Sequence, residues 1–279
     1  MAGKTLTSSG RRTGTVPTQG FHWWQSKQIQ QRFWRIVALI IILIGAAVIL
    51  VPFLWMLTTA LKTETETYAI PPKWIPDRLM WNNFPDALRL LPFGTFFRNS
   101  AVITFGSMLG ALLSSSIVAY AFARLRAPER DVLFIILLAT LMLPGQVTLI
   151  PLYLLFNKMG WVNTYYPLIL PAYFGGGAFN VFLLRQFFMT VPLEMDDAAK
   201  IDGCGFFSIY WRLILPLSKP ALGTVAIFHF MGHWNDFFTP LIYLNDVDKY
   251  TVSLGLAFFS GGGLSSGRLE WLMAASVVA

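Results

Sequence analysis

Three ionisable side chains interrupt an apolar run near the C-terminal end of the chain: His229, His233 and Asp236, in "HFMGHWNDFF". Spaced by four and three residues, they share one face of a helix, and two imidazoles with a carboxylate form a donor set that zinc accepts. The hydrolytic version of this pattern places a glutamate directly after the first histidine as general base. Phe230 stands there instead, so metal-assisted hydrolysis is not expected and no metal site is assigned. Polar groups inside an apolar span face a bundle interior or a water-filled route. His233, Trp234, Asn235 and Asp236 are therefore candidates for lining a translocation path, with a structural hydrogen-bond network between spans as the equal alternative.

A second constellation is acidic: "VPLEMDDAAKIDGCGFFSIYWRLILPLSKP", residues 191–220. Pro192 suits the first turn of a helix. Glu194, Asp196 and Asp197 crowd the end where the helix dipole favours negative charge. Ala198 and Ala199 are small and strongly helix-forming, and Gly203 suits a left-handed terminal cap. "FFSIYWRLIL" then reads as a second short segment lying along a membrane interface, with Pro216 and Pro220 resetting the backbone. A helix–glycine–helix elbow with small residues at its tip is the prediction; a solvated loop is the alternative that local physics leaves open. The one phosphate-loop-like triplet, Gly3-Lys4-Thr5, has no glycine five residues upstream and no preceding strand, so it is not a nucleotide site.

The elements that position these residues follow from composition. Of 279 residues, 55% are hydrophobic and 13% charged, about half the charged share of a soluble domain; the chain needs a bilayer as solvent. The net charge of +7 does not form the single basic stripe that nucleic acid requires, and the basic residues flank apolar runs instead. The lone Cys204 excludes an intrachain disulfide. The first apolar run is too long for a signal-peptide core and reads as a retained span.

An all-α membrane protein with six spans is expected, at about 36–61, 99–123, 132–156, 165–184, 220–244 and 271–279, behind a tail at 1–32 and with the elbow at 191–216. Nine residues at ~1.5 Å each do not cross a bilayer, so the sixth span is expected to continue past Ala279. Lysine and arginine number 13 on the side of the N-terminus and eight on the other, with the bias strongest in "RLRAPER". This places the N-terminus in the cytoplasm. "FHWW" reads as an interfacial anchor or an unstructured tail. "GSMLG", Gly106 to Gly110, reads as close helix packing. Gly175-Gly176-Gly177 reads as a kink or a close backbone approach, and Gly261–Gly263 as a loose exterior loop.

The elbow closely resembles the cytoplasmic "EAA" loop of binding-protein-dependent ABC importer permeases. It reads Asp197-Ala198-Ala199-Lys200-Ile201-Asp202-Gly203-Cys204 and then Leu215-Pro216. Asp197 stands for the family's glutamate and Cys204 for a small alanine. "LPLSKPAL" and "HWNDFFTPLIYL" resemble the carbohydrate-uptake branch, of the maltose-transporter second-permease type, and "LMAAS" near the end also fits. The resemblance implies a bacterial cytoplasmic-membrane subunit, non-catalytic and without a bound cofactor, that carries a sugar, oligosaccharide or polyol. It implies a second permease, two ATPase subunits that consume ATP, and an extracytoplasmic solute-binding protein as partners. Glu194, Asp197, Ala198, Ala199, Asp202, Gly203 and Cys204 would form the ATPase-docking surface. "PPKWIPDRLMWNNFPDAL" would meet the binding protein or form a packed lid. A stand-alone secondary transporter is the competing class, but no internal repeat supports it and Asp236 is its one candidate ion ligand.

Overall fold

The structure, a computed structural model, describes residues 27–260 and 268–279. The tail with "FHWW" and Gly3-Lys4-Thr5, and the glycines Gly261–Gly263, lie outside the described residues. Those described form helices joined by short turns, with no strand among them. The chain divides into two units, Met1–Leu54 and Trp55–Ala279. The first holds most of helix α1 (Lys27–Ala60), whose uncharged residues present exposed apolar side chains from Ile36 to Leu54. Such a surface belongs in hydrocarbon rather than water.

The second unit is organised on α4 (Phe93–Arg124), a 32-residue helix, ~48 Å long. Its sequence is unusual for a lipid-facing helix: Ser100, Thr104, Ser107, Ser115 and Ser116 are all buried. Without water to drive helices together in a bilayer, small residues let backbones approach and polar ones bond across the gap. Gly106 faces Ile169, Gly110 lies beneath the Tyr173 ring, and Gly176 sits where a side chain would strike the Ala111 carbonyl. The Ser114 hydroxyl donates to the Ala172 carbonyl at 2.8 Å. The sequence's two small-residue signals thus lie along one seam, between α4 and residues 169–176, with Gly175, Gly176 and Gly177 all at positive φ.

Three apolar clusters lie along α4. One joins Ala119 and Tyr120 to Val181, Leu184 and Phe188 of α8 (Ala178–Thr190), and to Val225 of α12 (Lys219–Trp234). A second gathers Phe93 and Phe96 with Ala87 of α3 (Asn83–Leu90) and Ala274 and Ala275 of α15 (Leu269–Val278). A third joins Ile103 to Phe156, Leu168 and Tyr243. At the helix start, the Asn99 amide donates to the carbonyls of Asp248 and Tyr250, at 2.8 and 3.0 Å. Ser100 Oγ accepts the Val252 N–H, the first residue of α14 (Val252–Ser260), at 2.9 Å.

Two expected spans depart from straight helices. The 132–156 run divides into α5 (Arg130–Ala139), a 3-10 turn, and α6 (Gly145–Lys158), bent by 95°. Pro144 forces Leu143 out of helical geometry, to φ −81° and ψ 117°. The expected 220–244 span stops at Trp234. Asn235 and Asp236 break the ladder, and the chain resumes as α13 (Phe238–Tyr243). In the fourth run α7 (Tyr166–Ile169) and a 3-10 turn precede the glycines, and α8 extends past the expected residue 184 to Thr190. Among the described residues, three helices can cross a bilayer by length and composition, or up to five when each bent pair counts as one, and α15 is a shorter apolar helix.

On the segment after α1, Thr63 caps α2 (Glu64–Thr67) in a reciprocal capping box with Glu66. Glu66 Oε1 also accepts the Asp77 N–H at 3.0 Å, closing the 63–77 loop. On the turn after α6, Asn163 in the left-handed region accepts the N–H groups of Asn245 and Asp246 on its side-chain oxygen.

Two predictions follow from this packing. Gly176→Ala places a Cβ 2.6 Å from the Ala111 carbonyl at a φ of +63°; the cost is ~3 kcal/mol of strain and overpacking, read as a lowered Tm of the purified protein in detergent. The N–H of Thr63 and then that of Asp77 hold the Glu66 carboxyl down from its ordinary 4.5 to about 2. The folded value is the depressed one, so this stabilisation is complete above pH 4.5 and fades as pH falls towards 2. Hydrogen exchange of the 63–77 loop, corrected for intrinsic rate, should quicken across that window in the natural protein. In Glu66→Gln it should show no such dependence.

Candidate functional site

The elbow folds as its residue types dictate. Pro192 is extended (φ −59°, ψ 138°) and α9 (Leu193–Ile201) begins directly after it, with Glu194 and Asp196 in the first turn. At the other end Gly203 is left-handed at φ +83°. Its N–H donates to Lys200 O at 3.0 Å, and the Cys204 N–H donates to Ala199 O at 2.9 Å. These two bonds form the Schellman closure that a C-terminal glycine makes available. After Gly205 the chain turns back into a continuous helical segment made of α10 (Phe206–Ile209), a π turn at Tyr210–Ile214 and α11 (Leu215–Leu217). That segment meets α12 at a 76° bend. It does more than lie on an interface: Ile209, Tyr210 and Ile214 are buried in the core, while Phe206, Phe207 and Trp211 face outward. Pro216 lies within this segment, and the bend falls at Ser218.

The candidate docking residues divide by face. Glu194, Asp197, Ala198, Asp202 and Gly203 are exposed; Ala199 and Cys204 are half-buried and pack against the α4–α8 core. Asp197 is paired with Lys200 at 2.9 Å on the surface, an exposed contact worth little by itself. The elbow therefore offers a carboxylate-rimmed tip of small residues, with its other face fixed to the membrane helices.

Sequence reading missed the residues that root it. Asp196, beside Asp197 in the chain, is buried, and its carboxylate lies 3.7 Å from Arg124 Nε at the end of α4. Arg124 Nη2 donates to the carbonyls of Phe188 and Val191, each at 2.7 Å. They belong to the last turn and exit of α8, where the Phe188 carbonyl also accepts the Val191 N–H at 3.3 Å. An arginine after a long apolar run serves equally as a topology marker, so its type did not separate the two roles. The helical period was the available signal: Asp196 shares a face with Ala199 three residues on, and Ala199 faces the core.

The second site is a cavity of about 340 Å³ between α4, α7, α8, α12 and α13. His229, His233, Asp236, Asn180 and Thr239 line it, with Gly176 and Gly177 as backbone wall. The candidate path residues divide here. His233 and Asp236 line the cavity. Trp234 does not; it stacks on Phe230 at 5.2 Å and its indole N–H donates to the Ala279 carbonyl. Asn235 is exposed and donates back to Met231 O at 2.8 Å.

Hydrogen bonds fix which histidine nitrogen carries hydrogen. Ser107 donates its hydroxyl to Thr104 O, so the His229 Nε2 that lies 3.2 Å from Ser107 Oγ is the donor. His233 Nδ1 lies 3.1 Å from the His229 carbonyl, which only accepts, so Nδ1 is also a donor. In neutral rings this leaves His229 Nδ1 and His233 Nε2 as acceptors. The Asn180 amide donates one hydrogen to Gly176 O, leaving its oxygen and a second N–H, and one Asp236 oxygen takes the Thr239 N–H, leaving the other. The cavity is thus rich in acceptors. The two rings are stacked at 3.9 Å, and no group of three or more metal-ligating side chains exists among the described residues.

Proteins similar to this chain are named as transport permeases. The chain is 29% identical over 238 residues to the diacetylchitobiose uptake system permease protein of Streptomyces coelicolor, covering 85% of this chain and 78% of that one. It is 30% identical to the sn-glycerol-3-phosphate transport system permease protein of Yersinia enterocolitica, over 86% of both. An arabinooligosaccharides transport system permease protein of Halalkalibacterium halodurans is 39% identical over 59% of this chain and 58% of its own length. The fold matches the crystal structure of a bacterial ABC transporter involved in the import of the acidic polysaccharide alginate, with a TM-score of 0.74 and 22% identity over 89% of this chain and 91% of that one. Residues 103–278 match the family described as the binding-protein-dependent transport system inner membrane component, and with most of α4, the cavity and the elbow inside that match, the chain belongs to this family.

Proposed function

We propose that this permease is one of two non-identical membrane subunits of an ATP-driven importer of carbohydrate, and that the elbow is where separate ATPase subunits act on it. Three relatives are named for a chitin disaccharide, arabino-oligosaccharides and a glycerol phosphate: all carry two or more hydroxyl groups. An acceptor-rich cavity suits such solutes, because each hydroxyl brings a hydrogen to donate. His233 and Asp236 line that route for part of its length. Trp234 and Asn235 serve the wall, through ring stacking and a helix-end bond. ATP is consumed by the partner subunits, and the solute arrives on an extracytoplasmic binding protein. The basic bias of "RLRAPER" and of the N-terminal segment supports a cytoplasmic N-terminus and a cytoplasmic elbow.

One observation carries the reading. The elbow presents Asp197, Ala198, Asp202 and Gly203 outward on a helix stopped by its own hydrogen-bonded glycine, while its other face is buried against the membrane helices. A surface with carboxylates at its rim and no bulk at its tip seats in a basic cleft: charge-assisted bonds form at the rim and small side chains allow close approach.

Two experiments test this. A photo-crosslinker at Ala198, in cells taking up labelled oligosaccharide, should capture an ATP-hydrolysing subunit; capture of no such subunit would sink the proposal. In proteoliposomes of the complex, screened with diacetylchitobiose, arabino-oligosaccharides and sn-glycerol 3-phosphate, Gly203→Val or Asp197→Lys should lower solute carried per ATP by about tenfold, the loss of ~1.4 kcal/mol of coupling. Both variants should remain inserted in the membrane, and unchanged uptake in either would count against the elbow as the coupling element.

A further inference from the structure

Ser116, Tyr120 and Arg124 follow one another at four-residue spacing on one face of α4, and each holds a different part of the elbow. Ser116 Oγ lies 2.8 Å from the Tyr210 hydroxyl. Tyr120 donates its hydroxyl to the Phe206 carbonyl at 3.1 Å. These two contacts fix the returning limb. Arg124 fixes the entering limb, through the carbonyls of Phe188 and Val191 and the carboxylate of Asp196.

The last contact differs in kind from the others. The Arg124 and Asp196 side chains are 3% and 6% exposed. Arg124 Nε and Asp196 Oδ1 have no hydrogen-bond partner of their own. Each charge therefore depends on the other for its compensation. Separating a buried pair strands two ions with neither water nor counter-charge, which costs far more than the loss of a surface bridge. An elbow that moves must then take the end of α4 with it. Covalent continuity alone would join it only to α8, through Val191, and to α12, through Ser218.

We propose that Arg124 and Asp196 are positioning residues of the transport cycle: the buried pair makes α4, the helix on which all three apolar clusters lie, follow the elbow when the ATPase subunits displace it. The inference rests on the elbow being the coupling element. It assigns the two adjacent carboxylates opposite duties, Asp197 outward to the partner and Asp196 inward to the lever. It also gives Ser116 and Tyr120 a shared task, since they keep the second limb in register with the first.

The test uses the complex isolated from its native membrane with its ATPase subunits, in a Cys204→Ala background. Nitroxide labels go at Leu193→Cys on α9 and Ile117→Cys on α4, both exposed. Double electron–electron resonance then compares the nucleotide-free state with the state trapped by ATP and vanadate. In the parent the distance between labels should be the same in both states. In Asp196→Asn it should broaden and shift by ~2 Å on trapping, the scale of helix shifts at moving interfaces. Asp196→Glu, which keeps the charge, should restore the constant distance, a rescue that mere loss of fold would not give. Arg124→Gln should behave as Asp196→Asn. If it does not insert, Asp196→Asn decides alone, because it leaves the guanidinium on its two carbonyls. A parent distance that shifts on trapping, or an Asp196→Asn complex indistinguishable from the parent, overturns the proposal. Were no ATPase to accompany the chain, the coupling reading would fail first and this one with it. ATPase bound and hydrolysing, with Asp196→Asn unchanged, removes only the clamp.

Discussion

Close approach of backbones along α4 is the constraint on which the second unit of this protein depends. In a bilayer, lipid tails compete for apolar surface on equal terms, so helices stay together by contact and by bonds that lipid cannot offer. Gly106, Gly110 and Gly176 make the contact possible. Asn99, Ser100, Ser107, Ser114, Ser116, Tyr120 and Arg124 supply the bonds, from one end of the helix to the other. The helix combines a lipid-compatible outer face, including Val102, Phe105, Leu109, Leu113 and Ile117, with a polar seam that neighbouring elements cover.

The two candidate sites are consequences of this arrangement at different places along α4. The cavity lies beside α4, α8 and α12, with Gly176 and Gly177 as backbone wall and the early end of α12 at Trp234 on another side. Its two histidines have committed their ring hydrogens to Ser107 and to the His229 carbonyl, which is why they offer acceptors. The elbow lies where α4 ends. There the seam becomes charged, and Arg124 holds two carbonyls at the end of α8 and faces one buried carboxylate in α9. A rigid tip and a rooted base are what a mechanical element requires, and both come from ordinary helix-end chemistry.

Much of this was legible in the residues. Pro192, the acidic first turn and Gly203 predict α9 and its stop, and both ends stand where those residues place them. Prolines were less decisive. Pro144 ends a helix because the residue before it must be extended. Pro52 and Pro151 sit inside helices instead, where a membrane environment and local adjustment tolerate them. Apolar run length therefore located the 132–156 and 220–244 stretches but did not reveal that each is interrupted, because hydropathy sums over a break as readily as over a helix.

The sequence by itself determined the solvent, the helical class, the start and stop of α9 and the small-residue faces. Each of these is a property of composition or of residues within a few positions of one another. Tertiary structure decided which of two adjacent aspartates is buried, which nitrogen of each histidine carries hydrogen, and which of four neighbouring polar residues line the cavity. Asp196 and Asp197 have identical local chemistry; Arg124, 72 residues before Asp196, distinguishes them. Such choices depend on what a chain brings back against itself across long sequence separations, and no local pattern records that.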